Sequence, residues 1–242
     1  MPTKPKGVDR RGEALTKDGI VNAAIELLDL DGEGGLTFRA LTAKLATGAG
    51  AIYWHVANKD ELLAAATDAV VAVAIADHAS AATPQEAIRA VAIGVFDAID
   101  AHPWVGAQLA RAPWLAAMLN IFERIGRAVQ ALGVAPADQF TAATSLVSYI
   151  LGVASQNAAN AVTAREHLSE TNRAEFLAAM AAAWAALDAD AYAFTRAMAG
   201  PLRDHDDRAE FLAGIDLIVA GIAAPRRPAD QADQADRSAQ RR

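Results

Sequence analysis

The stretch LTFRALTAKLATGAGAIYWHVANKDELL, residues 36–63, decides the fold of this chain. Thr37 can cap a short helix over residues 38–45, whose apolar residues recur at helical spacing. Residues 46–48 form a tight turn, and residues 49–55 form another short helix. Two short helices joined by a tight turn are the pattern of a helix-turn-helix unit, although short helix pairs also occur in many enzymes.

The segments on either side of this unit complete a small helical domain. Thr16 can cap a preceding helix that carries an apolar stripe, and the sequence Asp-Gly-Glu-Gly-Gly at residues 31–35 should break it. After the unit, Asn58 and Glu61 have the spacing of a capping box, which predicts a long helix running to about residue 78.

Start and stop signals further along the chain predict a series of additional helices. Thr83-Pro84-Gln85-Glu86 is a helix start with proline at the first helical position. No segment has the two-residue period of a strand, so we expect an all-α fold. Helices are expected over residues 84–101, between Pro103 and Pro113, up to residue 132, and over residues 137–162 and 207–222, while residues 165–205 are helical in composition without clear boundaries.

The predicted helices divide the chain into an N-terminal three-helix helix-turn-helix domain and a larger helical domain. The end segments are polar and poor in apolar residues, which is typical of chain that does not pack into a core. The expected parts are a flexible basic arm over residues 1–15, the helix-turn-helix domain over 16–63, the larger domain over 64–224 and a disordered tail over 225–242.

The composition excludes several classes of protein. The chain has 53% hydrophobic residues and no cysteine, so it has no disulfide framework, no cysteine-bound zinc and no thiol catalysis. Residues 139–164 carry no charge, but hydroxyl and amide side chains interrupt them, which argues against a membrane span. They include Thr141, Thr144, Ser145, Ser148, Ser155, Gln156, Asn157 and Asn160. The polar N-terminus lacks the apolar core of a signal peptide, so we expect a cytoplasmic protein.

The charge is distributed unevenly. The net charge is −7, yet residues 1–59 hold eight Lys/Arg and seven Asp/Glu, a balance of 8 − 7 = +1, so the remainder carries −8. All the lysines of the chain lie in those first 59 residues. A cationic end on an acidic body favours contact with phosphate by one face of the molecule only.

Three consecutive side chains on the second short helix have donors suited to DNA. Tyr53, Trp54 and His55 point around the helix, so they cannot all be buried. Their hydroxyl, indole N–H and imidazole groups, beside the Lys59 ammonium, are the kinds of donor that bind phosphate oxygens. Core aromatic residues are the alternative interpretation, and the charge distribution and turn spacing favour DNA contact over it.

The same residues carry a family resemblance. The run IYWHVANKDELL, residues 52–63, and the stretch around it look like the DNA-binding domain of the tetracycline-repressor (TetR) family. The run HPWVGAQLARAP, residues 102–113, and the long helix after Pro136 resemble that family's C-terminal domain more weakly. The resemblance implies an all-helical homodimer that binds a palindromic double-stranded DNA operator through two successive major grooves.

The resemblance also implies roles for individual residues. Arg39 would read a base, most plausibly a guanine edge, because its fork can bond two acceptors there. Gly48 stands where the family usually has a serine or threonine cap, and the helix tip has no polar side chain, so the operator cannot be predicted. The tip would be Ala49, Gly50 and Ala51, and the DNA backbone would be held by Thr37, Tyr53, Trp54, His55 and Lys59.

A small-molecule effector is the second partner that the resemblance implies. Side chains with apolar bulk and a polar tip suggest a mainly apolar cavity with few polar anchors. Gln156 lies approximately where the tetracycline repressor has an acidic residue near its metal, so we expect neither a metal, nor another cofactor, nor a tetracycline response. The candidate ligand-binding residues are His102, Trp104, Gln108, Trp114, Met118, Phe122, Tyr149, Gln156, Asn157, Asn160 and Trp184.

The long helix over residues 137–162 and the last helix would form the dimer interface by the same resemblance. We expect a regulator, most plausibly a repressor, and not an enzyme, because the sequence has no nucleophile elbow, phosphate-binding glycine loop or metalloprotease motif. A helical small-molecule-binding or scaffold protein without sequence-specific DNA binding is the alternative. Loss of function on replacing Arg39 and Tyr53, with the fold intact, would separate the two.

Overall fold

The computed structural model describes residues 15–76, 81–167 and 173–224, with side chains described up to residue 161 in the second range. Nearly all of the predicted N-terminal arm and the whole predicted tail lie outside these residues. The described residues form twelve helices and no strand, which confirms the all-α prediction. The helices are α1 (Lys17–Gly35), α2 (Phe38–Leu45), α3 (Ala49–Tyr53), α4 (Lys59–Ala76), α5 (Pro84–Ala101), α6 (Pro103–Arg111), α7 (Ala116–Ala131), α8 (Pro136–His167), α9 (Arg173–Ala185), α10 (Ala193–Ala197), α11 (Ala199–Arg203) and α12 (Asp207–Ala223).

The chain forms two compact units, residues 1–70 and residues 71–242, called here the N-terminal and the C-terminal unit. The division falls inside α4, between Val70 and Val71. The boundary that the sequence predicts between residues 63 and 64 stays a prediction.

The helices of the N-terminal unit begin where the sequence predicts caps. Thr16 Oγ1 accepts a hydrogen bond from the Gly19 N–H at 3.1 Å, and Thr37 Oγ1 accepts one from the Ala40 N–H at 3.1 Å. Each cap satisfies an N–H that has no partner within its helix, typically worth about 1 kcal/mol. The helices then bury one face each, led by Ile20, Leu41 and Ile52.

The end of α1 is interrupted where the sequence predicts a break. Within the Asp-Gly-Glu-Gly-Gly run the backbone of Gly32 is not helical, and a further helical turn follows it up to Gly35. Gly32 has φ 64°, a conformation that residues with a side chain rarely adopt. A Cβ at Gly35 would lie 2.2 Å from Asp31 Cβ, so the close turn requires glycine there. The glycines therefore interrupt the helix at Gly32 and allow the close turn that follows it.

The turn between α2 and α3 depends on an unusual alanine. Ala46 caps α2 with φ 50° and ψ 43°, the left-handed conformation, and its N–H donates to Thr42 O. Thr47 N–H also donates to Thr42 O at 3.1 Å. The left-handed conformation brings Cβ close to the following carbonyl oxygen, at a cost of about 1–2 kcal/mol for an L-residue.

Helix boundaries elsewhere agree with the sequence to within a few residues, with two exceptions. α3 ends at Tyr53 rather than at residue 55, because His55 N–H donates to Ile52 O at 2.9 Å in a tighter turn. α8 extends to His167, five residues beyond the predicted end. The region without clear boundaries contains α9, α10 and α11, which pack on one another.

The core of the C-terminal unit lies between α5, α7, α8 and α12. Phe211 of α12 is buried between Phe96 of α5, with ring centroids 4.7 Å apart, and Tyr149 of α8, at 5.8 Å. Burying an aromatic side chain of this kind stabilises a core by about 1.5–3 kcal/mol. The side chains in this core that are fully inaccessible include Ile88, Val95, Ile99, Ile121, Ile125, Leu146, Ile150 and Ile215.

Two glycines let helices approach α8 closely. A Cβ at Gly214 of α12 would lie 1.8 Å from Tyr149 Oη, and a Cβ at Gly106 of α6 would lie 2.7 Å from Ser155 Oγ. Arg89 and Asp97 of α5 also form ion pairs with α12, at Asp216 and Arg208 respectively, which sets an antiparallel register. Among the described residues no helix is long and apolar enough to cross a membrane.

Replacing Ala46 with glycine should stabilise the N-terminal unit, because glycine adopts the left-handed conformation without steric cost. We expect a gain of about 0.5–1 kcal/mol after the larger backbone entropy of glycine in the unfolded chain is subtracted. Hydrogen exchange of the Val56 amide, which donates to Ile52 O, reports this stability. Ala43→Gly, at an exposed position inside α2, is the matched control and should destabilise the unit by a similar amount. Equal effects of the two substitutions would contradict the account.

Candidate nucleic-acid interface

The helix-turn-helix presents one exposed surface. Ile52 is fully buried and Val56 is 1% exposed, so α3 is fixed to the core of the N-terminal unit from one side. The other residues of α3 are therefore turned outwards. We call the exposed set the α2–α3 surface: Thr37, Arg39, Ala49, Gly50, Ala51, Tyr53 and Trp54.

An aromatic stack joins the two ends of this surface. The rings of Phe38 and Tyr53 lie 4.4 Å apart and 16° from parallel. The stack places the start of α2, with its neighbours Thr37 and Arg39, beside the end of α3. The helical spacing of the apolar residues of α2 places Phe38 on its inward face, but spacing along one helix cannot reveal a partner on another.

Trp54 and Arg39 contribute exposed polar groups to the α2–α3 surface. Trp54 is 86% exposed, which leaves its ring faces and its indole N–H open to a partner. Arg39 is exposed, and its guanidinium forms no hydrogen bond or ion pair with residues 15–70. The exposed tryptophan offers stacking and the exposed arginine offers forked hydrogen bonding.

The tip of α3 carries no side chain that could donate a hydrogen bond, as its sequence indicates. Gly48 is the N-cap and makes no side-chain hydrogen bond. A Cβ at Gly48 or Gly50 would meet nothing within 4 Å, so neither glycine is required by packing inside the unit. Close approach of a partner to the backbone is one reason to keep glycine at such positions.

The remaining predicted DNA contacts are less exposed. His55 is half-buried. Lys59 Nζ donates to Glu33 O at 2.6 Å, so the ammonium links the start of α4 to the kinked end of α1. The contribution of Lys59 to DNA binding stays a prediction, and its internal contact is one that sequence reasoning missed.

A carboxylate holds the turn between α3 and α4. Glu61 accepts a hydrogen bond from the Ala57 N–H at 2.9 Å and pairs with Lys17 Nζ at 3.5 Å. Asn58 Oδ1 accepts from the Glu61 N–H at 2.8 Å, as the predicted capping box requires. The hydrogen bond from Ala57 lowers the pKa of Glu61 most, and Lys17 lowers it further, against a smaller opposing effect of desolvation.

The candidate ligand-binding residues fall into several places within the C-terminal unit. Trp104 and Gln108 are buried on α6, and the His102 ring lies 6.0 Å from Trp104. Met118 and Phe122 are half-buried on α7. These five residues lie on or next to α6 and α7, two helices that are consecutive in the chain and that both pack on α5 and α8.

The other six candidates are further apart. Tyr149 Oη donates to Phe211 O at 3.3 Å, and burial followed by the charge of Glu210 raises the Tyr149 pKa. Asn157 Nδ2 donates to Asp100 Oδ1 at 3.4 Å. Trp184 is half-buried on α9, and Trp114, Gln156 and Asn160 are exposed. The roles of all eleven residues in ligand binding stay predictions.

A cavity of about 400 Å³ lies elsewhere in the C-terminal unit, where the end of α7, the start of α8 and the end of α12 meet. We call it the junction cavity. None of the eleven candidate residues lines it. Its lining residues are Leu132, Gly133, Val134, Ala135, Asp138, Thr141, Ala142, Ser145, Ile222, Ala223 and Ala224.

Family models match both units. Residues 20–66 match the family described as bacterial regulatory proteins of the tetR family. Residues 79–226 match the tetracyclin repressor-like C-terminal domain, which covers more than half of the chain. The chain belongs to the TetR family. The resemblance stated from the sequence is therefore confirmed.

Whole-chain relatives agree with this assignment. An HTH-type transcriptional regulator of Saccharopolyspora erythraea is 31% identical over 91% of this chain and 90% of its own length. A solved TetR transcriptional regulator from Streptomyces coelicolor is 54% identical, with a TM-score of 0.80 over 88% of this chain and 100% of that one. BioQ, solved with its double-stranded DNA operator, is 29% identical, with a TM-score of 0.55 over 87% of this chain and 99% of that one.

Membership of the TetR family settles the general class of activity. The chain is a DNA-binding transcriptional regulator with a helix-turn-helix, and TetR-family regulators act by binding rather than by catalysis. In this TetR-family chain, the α2–α3 surface lies within residues 20–66, which match the model of bacterial regulatory proteins of the tetR family.

Neutralising Glu61 should weaken the N-terminal unit in a pH-dependent way. Because the folded-state pKa of Glu61 is lowered, its contribution to stability is present above the unfolded pKa and is lost as the pH falls through the folded value. Wild type should therefore exceed Glu61→Gln in urea midpoint at neutral pH, and the difference should shrink below about pH 4. Asp60→Asn removes an equal charge in the same turn and should show a smaller difference. A pH-independent difference would contradict the assignment.

Proposed function

We propose that this chain is a homodimeric repressor that holds a palindromic operator and is released from it by a small, largely apolar effector. The observation that carries the proposal is the α2–α3 surface, where Arg39, Tyr53 and Trp54 face solvent. At the start of α3 in the same surface, the glycines leave the backbone open to a partner. The BioQ complex, in which a relative of this chain is bound to its DNA operator, supports it.

The residues of the α2–α3 surface divide by chemistry into base contact and backbone contact. The Arg39 guanidinium is the group best suited to a base, since its fork matches the two acceptors of a guanine edge. Tyr53 and Trp54 carry one donor each, which suits phosphate oxygens and fixes the register of the helix on the duplex. Thr37 already accepts a hydrogen bond from Ala40 N–H, and its hydroxyl hydrogen remains available to a phosphate.

Two lysines of the N-terminal unit form ion pairs with carboxylates of the same unit, which leaves them less available for DNA. Lys44 Nζ pairs with Glu26 at 2.5 Å, and Lys17 pairs with Glu61. We therefore expect Arg39, rather than either of these two lysines, to supply the cationic contact with DNA. The negative charge beyond residue 59 disfavours non-specific contact of the rest of the chain with DNA.

A second copy of the chain is the partner proposed for the outer face of α8 and α12. On α8 the exposed positions Ser148, Gly152 and Gln156 recur at helical spacing and carry no charge. On α12 the exposed positions Ala213, Leu217 and Ala220 do the same, and Leu217 is 76% exposed. Small uncharged residues allow two helices of one subunit to pack closely against the same pair of a second subunit.

The effector is proposed to contact α6 and α7. Trp104, Gln108 and Phe122 combine apolar area with one buried amide, which suits a largely apolar molecule with a single polar anchor. Release from DNA requires that this molecule bind the DNA-competent and DNA-incompetent arrangements with unequal affinity.

Replacing Arg39 should reduce sequence-specific binding more than general binding. On a genomic fragment selected by the purified protein, Arg39→Ala should lose about 1–3 kcal/mol of affinity, roughly 5- to 150-fold. Arg39→Lys keeps the charge without the fork, so it should lose a similar preference for the operator while keeping its affinity for random DNA. Fluorescence anisotropy on both DNAs at two salt concentrations measures this. Unchanged operator preference in both variants would contradict the proposed role of Arg39, whereas a wild-type chain with no preference for any fragment over random DNA would favour the scaffold alternative.

A charge placed at Leu217 should dissociate the dimer. Leu217→Glu buries an unpaired carboxylate in the proposed interface, so the dimer dissociation constant should rise by tenfold or more, for a cost of at least about 1.4 kcal/mol. Leu30→Glu is the matched control, since Leu30 is 74% exposed and lies on α1, which is not one of the two helices of the proposed interface. Sedimentation velocity measures both. A wild-type chain that stays monomeric at micromolar concentration would contradict the proposed dimer.

A further inference from the structure

The first turn of α3 has a hydrocarbon surface without any polar side chain. Residues 48–52 read Gly-Ala-Gly-Ala-Ile, and none of their side chains carries a nitrogen or an oxygen atom. The first three residues of α3 are exposed, whereas Ile52 is fully buried. This turn belongs to the α2–α3 surface, so any recognition of DNA by it rests on the proposed function.

The burial of Ile52 fixes the direction in which each residue of the turn faces. An α-helix rotates by about 100° per residue, so Gly50 lies about 160° around the helix axis from Ile52, almost opposite the core. Trp54, which is 86% exposed, follows Gly50 by four residues and lies on the same outward side. Ala51 lies about 100° from Ile52 and borders that outward side. The atoms that α3 presents at its tip are therefore the backbone of Gly50 and the methyl group of Ala51.

The fold of the N-terminal unit does not require glycine at residue 50. A Cβ at Gly50 would meet nothing within 4 Å, and its backbone is helical, a conformation in which alanine is more stable than glycine. Glycine at this position therefore lowers the stability of α3 without relieving any contact inside the unit. Close approach of a partner to the backbone is a use of glycine that accounts for this cost.

A hydrocarbon tip matches one chemical group in the major groove of DNA. Thymine carries a C5-methyl group there, whereas the edges of adenine, guanine and cytosine present hydrogen-bond donors and acceptors without a methyl group. The Ala51 methyl group can contact the thymine methyl group and remove both from water, without any polar side-chain atom of α3 being left unpaired. We infer that α3 recognises a thymine methyl group in each operator half-site through Ala51, and that Gly50 permits the close approach this contact needs.

Replacing thymine with uracil removes this methyl group and leaves the hydrogen-bonding atoms of the base in place. The experiment uses the full-length protein and the tightest fragment selected from its source genome, and fluorescence anisotropy measures binding. Each thymine is replaced in turn, together with its symmetry mate in the other half-site. At one such pair of positions the affinity should fall by about fourfold per methyl group, roughly 10- to 20-fold for the pair.

Two protein variants assign the loss to Ala51. In Ala51→Gly the loss on uracil substitution at that position should disappear, because the side chain that contacts the methyl group is absent. Tyr53→Phe removes a proposed phosphate donor and keeps the ring, so it should bind both DNAs more weakly and retain the whole loss on uracil substitution. Circular dichroism checks that both variants are folded.

Gly50→Ala tests the close approach in a variant that should fold at least as well as wild type. Because the added methyl group meets nothing in the unit and alanine favours the helix, the melting temperature should equal or exceed that of wild type. The affinity for the operator should nevertheless fall by about tenfold or more, because the methyl group keeps α3 away from the base edges. Gly34→Ala is the matched control, since Gly34 is exposed on α1 and its Cβ would also meet nothing within 4 Å. It should leave the affinity for the operator unchanged.

The outcomes separate the methyl contact from the proposed function. A protein that prefers its operator, yet loses no affinity on uracil substitution at any thymine, contradicts recognition of a methyl group and leaves the proposed function intact. The same holds if Ala51→Gly retains the whole loss, or if Gly50→Ala binds the operator as tightly as wild type. A wild-type protein with no preference for any fragment over random DNA contradicts the proposed function, and the methyl contact with it.

Discussion

The one-sided burial of α3 is the constraint on which the rest of the account depends. Ile52 and Val56 fix five residues of helix to the core, and everything else on that helix must then face solvent. The Phe38–Tyr53 stack extends the constraint to α2, so that Arg39 and Trp54 belong to one surface. Burying the two aliphatic side chains contributes roughly 3–6 kcal/mol, which explains how so short a helix can keep a defined orientation.

A comparable constraint organises the C-terminal unit. Tyr149 lies against α12 where Gly214 leaves no Cβ in its way, and Phe211 stacks between Tyr149 and Phe96. The contact brings α8 and α12 together and leaves their small, uncharged residues on the outside. Packing inside one subunit thus prepares the surface that we propose for the second, and the same helix pair closes the junction cavity at its end.

The sequence predicted helices and caps well and cross-helix contacts poorly. Thr37 and Asn58 were found because capping depends on residues three positions apart, which a sequence displays directly. The Lys59–Glu33 contact and the Phe38–Tyr53 stack join segments distant along the chain, so no local pattern shows them. The kink at Gly32 depends on the close turn that follows it at the end of α1. α8 continues past residue 162 because residues 153–167 contain no glycine or proline. The eleven effector candidates were chosen by side-chain type, which does not determine which of them share a cavity.

The measurement that tests the central claim most directly is a hydroxyl-radical footprint of the wild-type protein on the tightest fragment selected from its source genome. Two helix-turn-helix units in one dimer should protect two equal patches, separated by one helical turn of DNA, about 10 base pairs, or a multiple of it, and related by a sequence two-fold. A single protected patch, or uniform protection along the whole fragment, would contradict a dimer that binds palindromic DNA.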